Sequence, residues 1–564
     1  MNRLLLIPVV VLLGLQGCKS VPTQPSPPKL ASPEYVAGEF NQESLYDLLL
    51  AEIAGQNRLF PVALDNYVTQ AKKTQDAGVA ERATRIAQYL RDTDKIIETA
   101  RIWREIDSEN PEPYQIEANM LLHQGLYQEA LPLVKKALEF DALRTLALIR
   151  GQANRINKDV LSSYVTMLKA FRTEETPRAD LELTLALLHK AEGATQSALS
   201  AFNRALSIDP DNPEALIQKA ELLREDEDIK GALQLIEAAF EQQPENRQLH
   251  ILYTQLLFQT KQTKKGVTQA EALVQNNLKD HQLTYYLALL MLENEAPESA
   301  LKAFNHLLEL KPEDTSPNFY LGHIAQAKGD KETAIKHYSA VSNGNNVLQS
   351  LSRAIGLLND SAEREKVESI LSEARSSLPD QAPQLFTLEA EWLNLHNYKE
   401  EALTLLEDAL GLFTDNTTLL YTRAMMVEST DFPLAEQDLR RVLELEPDNS
   451  TAQNALGYTL LLHTSRYEEA LELIQAALNS EPEDPAILDS MGWALFKLER
   501  YNEALPYLEK AHALYSDPEV SSHLIQTYWA LGQKDRALDL LNKSRAESPD
   551  NPFLEEAAQL IDAN

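Results

Sequence analysis

The chain of 564 residues holds one cysteine, Cys18, so no disulfide can form within it and its stability must come from packing. Glycine is scarce at 18 residues, which disfavours strand-and-turn architectures and glycine-lined phosphate sites. Positive charge is short: 52 basic residues face 85 acidic ones, a formal net charge of -33. Such a field repels phosphate backbones and anionic lipid surfaces, which argues against a nucleic-acid partner and against the protein body lying on a membrane. Long apolar runs are missing too. The longest, Leu4 to Gly14, is interrupted by Pro8 and too short to span a bilayer.

Catalytic signatures are equally sparse. There is no Gly-x-Ser-x-Gly elbow, phosphate loop or dinucleotide fingerprint, and no His-Glu-x-x-His pair among the 11 dispersed histidines. His323 and His337 read as surface or packing residues. Asp226, Asp228, Gly231 and Glu237 fall at calcium-loop spacing, but Lys230 stands where an oxygen ligand is required and Ala232 to Ala239 reads as helix. The segment is an acidic turn. No catalytic residue, metal, cofactor or small-molecule substrate is expected, and the acidic pairs, such as Glu468-Glu469, read as solvated helix faces.

What is present begins at the N-terminus. Met1-Asn2-Arg3 supplies positive charge ahead of the apolar run, the layout of a secretory signal. Leu15-Gln16-Gly17-Cys18 then resembles the lipobox of bacterial lipoproteins. The resemblance implies cleavage after Gly17 and lipidation of Cys18, and Lys19, where inner-membrane lipoproteins typically carry Asp, implies the outer membrane. Pro22, Pro25, Pro27, Pro28 and Pro33 sit among polar residues, so 18–40 reads as a flexible tether with a reach on the order of 60 Å.

The remainder is repetitive. Pro210, Pro244, Pro312, Pro447, Pro482 and Pro549 are separated by multiples of about 34 residues. Ala130, Ala198, Ala232, Ala300, Ala334, Ala402, Ala470 and Ala504 keep the same beat. Two helical turns after most of them comes a second small residue, as at Ala137, Ala205, Ala409, Ala477 and Ala511, so both lie on one close-contact stripe. Between Pro485 and Ser516, Leu488, Met491 and Leu495 line a first helix, and Gly492 permits close approach. Glu499-Arg500 turns, Tyr501 plugs the turn, and Ala504, Leu508 and Ala511 line a second helix. Gly125, Gly193, Gly329, Gly532 and Asn397 recur at the inter-helix turn, where a left-handed residue ends a helix. Pro132 and Pro506 are expected in the first turn of second helices.

This pattern resembles the tetratricopeptide family and implies an all-α superhelical solenoid of about fifteen helical pairs. The expected organisation is a signal peptide at 1–17, the tether at 18–40, N-terminal helical repeats at 41–144, and central repeats at 145–382. C-terminal repeats follow at 383–551, with a capping helix at 552–564. Within the central part, Thr145 to Arg178 and Gln349 to Gln381 are degenerate hairpins without the small-residue pair.

By family resemblance, first helices line a concave groove suited to a peptide or helix. Counting along them places Phe258, Tyr285, Phe319, Asn454, Tyr458, Asp489, Trp493, Phe496 and Trp529 on that side. Its aromatics would serve as anchors, with Asn454 or Asp489 holding partner backbone or a basic side chain. The stretch Glu43 to Gln56, with Ala63-Leu64-Asp65-Asn66-Tyr67 and Gly78-Val79-Ala80-Glu81-Arg82-Ala83, resembles a more specific group. These are outer-membrane lipoprotein adaptors of a periplasmic carboxyl-terminal processing protease. That resemblance implies a noncatalytic scaffold that recruits and activates the protease and presents envelope substrates, notably enzymes that cut peptidoglycan crosslinks. An assembly lipoprotein for a pilus secretin or exopolysaccharide export machine is the alternative.

Overall fold

A computed structural model describes residues 35–173 and 176–562. Cys18, the expected signal peptide and most of the expected tether therefore lie outside the described residues. Within them the chain forms 31 α-helices, three short 3-10 turns and no strand. None of these helices is long and apolar enough to cross a membrane. The helices fall into two compact units divided after Gln269. In each, consecutive helices pack antiparallel in pairs.

Each pair forms for local reasons. First helices start on a capping side chain: Asn449 accepts from Ala452 N, Asp484 from Ala486 N and Ile487 N, and Asp517 from Glu519 N. Pro485 and Pro518 follow directly, where a missing N–H costs nothing. Many pairs then turn on a left-handed residue. Gly125, Gly193, Gly329 and Gly532 hold φ between 74° and 77°, and Asn397 holds 65°. Arg91, Glu227, Lys261, Glu295 and Glu499 take the same conformation at equivalent turns. A side chain there costs about 1–2 kcal/mol, so the repeat tolerates strain that glycine would avoid.

Packing follows the small-residue stripe. All eight beat alanines are fully buried, and the second small residues of the pairs are buried as well. The closest approach is at Gly492, where a Cβ would stand 2.4 Å from Leu508 Cγ; at Gly457 it would meet Ile474 Cγ1 at 2.6 Å. Pro132 and Pro506 depart from expectation. Their helices begin at Tyr127 and Tyr501, so both prolines sit inside the helix, beyond the first turn, where each removes one intrahelical bond.

The degenerate hairpins are real irregularities. The helix Ala142–Gln152 runs into a 3-10 turn before Lys158–Ala170, and Val347–Gly356 is followed by 3-10 turns on both sides of Arg364–Ser377. The helix Pro552–Asp562 ends the second unit, burying Leu554, Ala557, Ala558 and Ile561.

The last residues of the expected tether fall within the described part of the chain. Residues 35–40 are docked: the Tyr35 hydroxyl and Gly38 N–H both donate to the Asp76 carboxylate, and Glu39 N–H donates to Thr74 O. The buried Asp76 also caps the helix Ala77–Leu90 through Val79 N–H. One carboxylate thus ties the incoming segment to the first repeat, and it holds the Tyr35 phenol above its ordinary range.

Some acids are not the solvated faces the sequence suggests. Glu117 accepts from Arg101 Nε at 3.0 Å and Arg104 Nε at 2.8 Å, Glu182 accepts from Arg172 and Arg204, and Asp438 takes a two-pronged bond from Arg423 at 2.7 and 2.8 Å. Glu389 is paired with Arg375, yet burial still pushes its carboxyl up. These charges stand between adjacent helices, where an unpaired carboxylate would be costly.

Candidate functional site

A groove of about 910 Å³ lies in the second unit. Its wall is built from successive first helices: Thr417–Val427 contributes Tyr421 and Met425, and Ser450–His463 contributes Asn454, Tyr458 and Leu462. Pro485–Lys497 adds Ile487 and Asp489, Pro518–Ala530 adds Glu519 and Val520, and the final helix closes one end with Phe553. Met425, Leu462, Tyr515 and Phe553 are large apolar side chains left exposed along it.

Six carboxylates line this groove: Glu428, Glu481, Asp484, Asp489, Asp517 and Glu519. No lysine or arginine lines it. Neutral donors and histidines serve the acids instead. The Tyr458 hydroxyl donates to Glu519, Ser450 to Glu481, and His463 Nε2 meets Glu428. Burial, followed by the adjoining Glu519 carboxylate, drives the Tyr458 phenol well above its ordinary range. Asn454 Oδ1 is buried with no hydrogen-bond partner among the described residues.

Of the residues expected on the inner face, Asn454, Tyr458 and Asp489 meet in this groove. Trp493 and Phe496 do not line it. Trp493 is 3% exposed and forms a ring stack, 4.7 Å from Phe496 on one side and 3.9 Å from His523 on the other. His523 Nδ1 in turn lies 3.0 Å from both Asp489 oxygens. The stack is therefore a support that fixes Asp489, not a surface anchor. Trp529 is half-buried under Lys534 Nζ, 4.1 Å from its ring.

The earlier residues lie elsewhere. Phe258 is buried at 3%, and its ring fills the space over Gly266. Helix counting placed it on an open face; it is buried because Gly266, on the next helix, leaves room for a ring that a larger residue would exclude. Tyr285 is half-buried between Phe304 and Tyr320, its phenol pushed up by burial. Phe319 lies against Tyr338 with the Arg353 guanidinium 5.7 Å from its ring. These three pack within or between helical pairs.

Sequence reasoning missed Tyr421, Met425, Tyr515 and Phe553. The first two occupy, one repeat earlier, the face that Asn454 and Tyr458 occupy, so the same count would have found them. Tyr515 sits in a loop and Phe553 on the cap, where no periodic signal points. The supposed calcium spacing is also resolved: Asp228 caps the helix Ile229–Gln242 through Gly231 N–H at 2.9 Å.

A second uncovered surface lies in the first unit. The helix Gln42–Gln56 turns its small residues Ser44, Ala51 and Ala54 inward and leaves Leu45, Tyr46, Leu49, Leu50 and Ile53 exposed. An ordinary surface helix does the reverse. Leu59 and Val62 extend the apolar area onto the following segment.

Comparison with known proteins agrees with this architecture. Tetratricopeptide-repeat models match residues 179–222, 427–486 and 495–560. The TPR repeat-containing protein PA4667 of Pseudomonas aeruginosa is 40% identical over 541 residues, covering 93% of this chain and 90% of that protein. This chain belongs to the tetratricopeptide-repeat family. Among solved structures, Naa15/Naa10 bound to HypK-THB aligns over 92% of the chain at 16% identity with a TM-score of 0.34. The Cut9–Hcn1 hetero-tetramer aligns over 92% at 15% identity, also with a TM-score of 0.34. The repeats make the chain a scaffold for protein interaction, and among the described residues the groove and the helix Gln42–Gln56 both leave large apolar side chains exposed.

Proposed function

We propose that this protein is a noncatalytic adaptor, held at the periplasmic side of the outer membrane by lipidated Cys18. It brings a carboxyl-terminal processing protease together with envelope substrates such as peptidoglycan crosslink hydrolases. The observation that carries an adaptor role is the presence of two uncovered surfaces of unlike chemistry, one in each unit. The apolar face of Gln42–Gln56 suits a folded partner that covers leucines, while the acid-lined groove suits an inserted segment. The lipobox-like Leu15 to Cys18 supports the anchor, and the resemblance of Glu43 to Ala83 to protease adaptors supports the partner.

The test is affinity purification of the mature chain from envelope extract, with and without Leu45→Ser/Leu49→Ser. The adaptor reading expects a soluble protease to co-purify with the unaltered chain and to be lost from the variant, with substrates retained by the groove. Recovery of an outer-membrane secretin or export channel instead would replace it with the assembly-factor alternative. Cys18→Ser should move the protein from the membrane to the soluble fraction with partner capture intact; a variant that stays on the membrane removes the lipid-anchor part.

A further inference from the structure

The groove's chemistry narrows what it can hold. A peptide entering it meets exposed Met425, Leu462, Tyr515 and Phe553, which offer area for apolar side chains. It also meets six carboxylates and no lysine or arginine. Asp484 and Asp517 are partly committed as helix caps, and Asp489 is fixed by His523. Glu428, Glu481 and Glu519 remain with single-contact neutral or histidine partners. Among the described residues, no lysine or arginine forms an ion pair with any of the six. Elsewhere the same chain neutralises its inter-helix acids with arginine, as at Asp438 and Glu182. The groove is thus a place where negative potential is left without a counter-charge.

We infer that the groove takes a cationic, apolar peptide segment: a lysine or arginine flanked by leucine-like or aromatic side chains, read internally rather than by its carboxyl terminus. A terminal carboxylate would enter a site with six like charges and no cation to receive it, which disfavours that polarity. An ammonium or guanidinium would instead meet Glu481 or Glu519 while its neighbours cover Tyr515 and Phe553. This deepens the adaptor reading and rests on it. If substrates are held in this way, their carboxyl termini stay outside the groove and free for a processing enzyme.

The test uses the full mature chain and fluorescence anisotropy with three short labelled peptides. One alternates leucine and tyrosine with lysine and has an amidated end; the second carries glutamate in place of lysine; the third is the lysine peptide with a free carboxylate. The lysine amide should bind about tenfold more tightly than the glutamate form. The free carboxylate should weaken binding when placed beside the lysine, and the preference should shrink at about 0.5 M salt. Glu481→Gln/Glu519→Gln should lower affinity for the lysine amide about tenfold, whereas the exposed pair Glu295→Gln/Glu332→Gln should not. Equal binding of both charge forms, no binding of either, or equal loss in both double variants overturns the inference. So does loss of probe binding as rising protein concentration drives dimer formation, which would make a second copy the occupant. Extract capture separates the two levels. A chain that captures its protease and substrates but shows no charge preference loses only this inference, whereas one that captures neither loses the adaptor reading.

Discussion

Replacing Gly492 with alanine tests the close helix approach on which the groove wall depends. The added Cβ would stand 2.4 Å from Leu508 Cγ, 2.7 Å from its Cδ2 and 3.3 Å from the Ala504 carbonyl oxygen. Leu508 and Ala504 are fully buried, so neither has solvent to retreat into. Overpacking of this kind costs about 1–3 kcal/mol. Against it stands the ordinary benefit of alanine over glycine inside a helix, about 0.5–1 kcal/mol. The net expectation is destabilisation of about 1–2 kcal/mol. Gly411 supplies the control. It lies in the helix Lys399–Leu412 with nothing within 4 Å of a Cβ, so Gly411→Ala should stabilise by about 0.5 kcal/mol, the smaller figure reflecting its place near the helix end. Urea denaturation of the protein, with amide exchange read over Pro485–Lys497 and Lys399–Leu412, measures both locally. Opposite signs are expected. If both variants shift in the same direction, or Gly492→Ala leaves exchange in its helix unchanged, the close-approach reasoning is wrong.

Three further outcomes follow from the packing. Trp493→Ala should cost about 3–5 kcal/mol because it empties the ring stack between Phe496 and His523, while the half-buried Trp529→Ala should cost distinctly less; equal melting shifts would contradict the burial difference. Arg423→Met should destabilise by about 3 kcal/mol by stranding the Asp438 carboxylate, and adding Asp438→Leu should recover most of it in a denaturation series. Burial holds the imidazoles of His250, His337 and His512 below their ordinary pKa of 6.5. Their neutral forms are therefore favoured in the folded chain, and the associated stability is complete above pH 6.5 and is lost as pH falls below it. Melting temperature should drop as pH is lowered from 7 towards 5.5, and His250→Gln/His337→Gln should flatten that drop; an unchanged slope would refute the assignment.

The repeat was legible because it is written in residue size. Ala470 and Ala477, or Ala504 and Ala511, can only serve a stripe where helices nearly touch, and the period then yields the pairs, the turns and the cap. Charge was less legible. Glu117 and Glu182 look like any helical acid, and only the fold shows that arginines from neighbouring helices reach them. The groove was half legible for a geometric reason: Asn454, Tyr458 and Asp489 follow from position on first helices, but Trp493 shares that stretch of helix and turns into the stack instead. The exposed face of Gln42–Gln56 was not legible, because its acids Asp47 and Glu52 bond to the neighbouring helix through Gln70 and Tyr67 while its leucines stay outside, the reverse of what an apolar pattern suggests.

The net charge of -33 acquires a local meaning from these contrasts. On the outer helix faces acids are spaced through solvent, where a counter-ion atmosphere screens them within about 8–10 Å. In the helix interfaces they are met by arginines at hydrogen-bond distance. In the groove, aromatic walls and several carboxylates without a lysine or arginine partner coincide, which concentrates the field rather than dispersing it. An acidic protein body repels acidic partners, so a segment bearing positive charge gains both faster encounter and a defined place to settle. The helix Gln42–Gln56, by contrast, has no such selectivity and relies on covered area. In the proposed adaptor the two faces would divide the work: apolar area for one partner, and charge with aromatic side chains for a cationic segment.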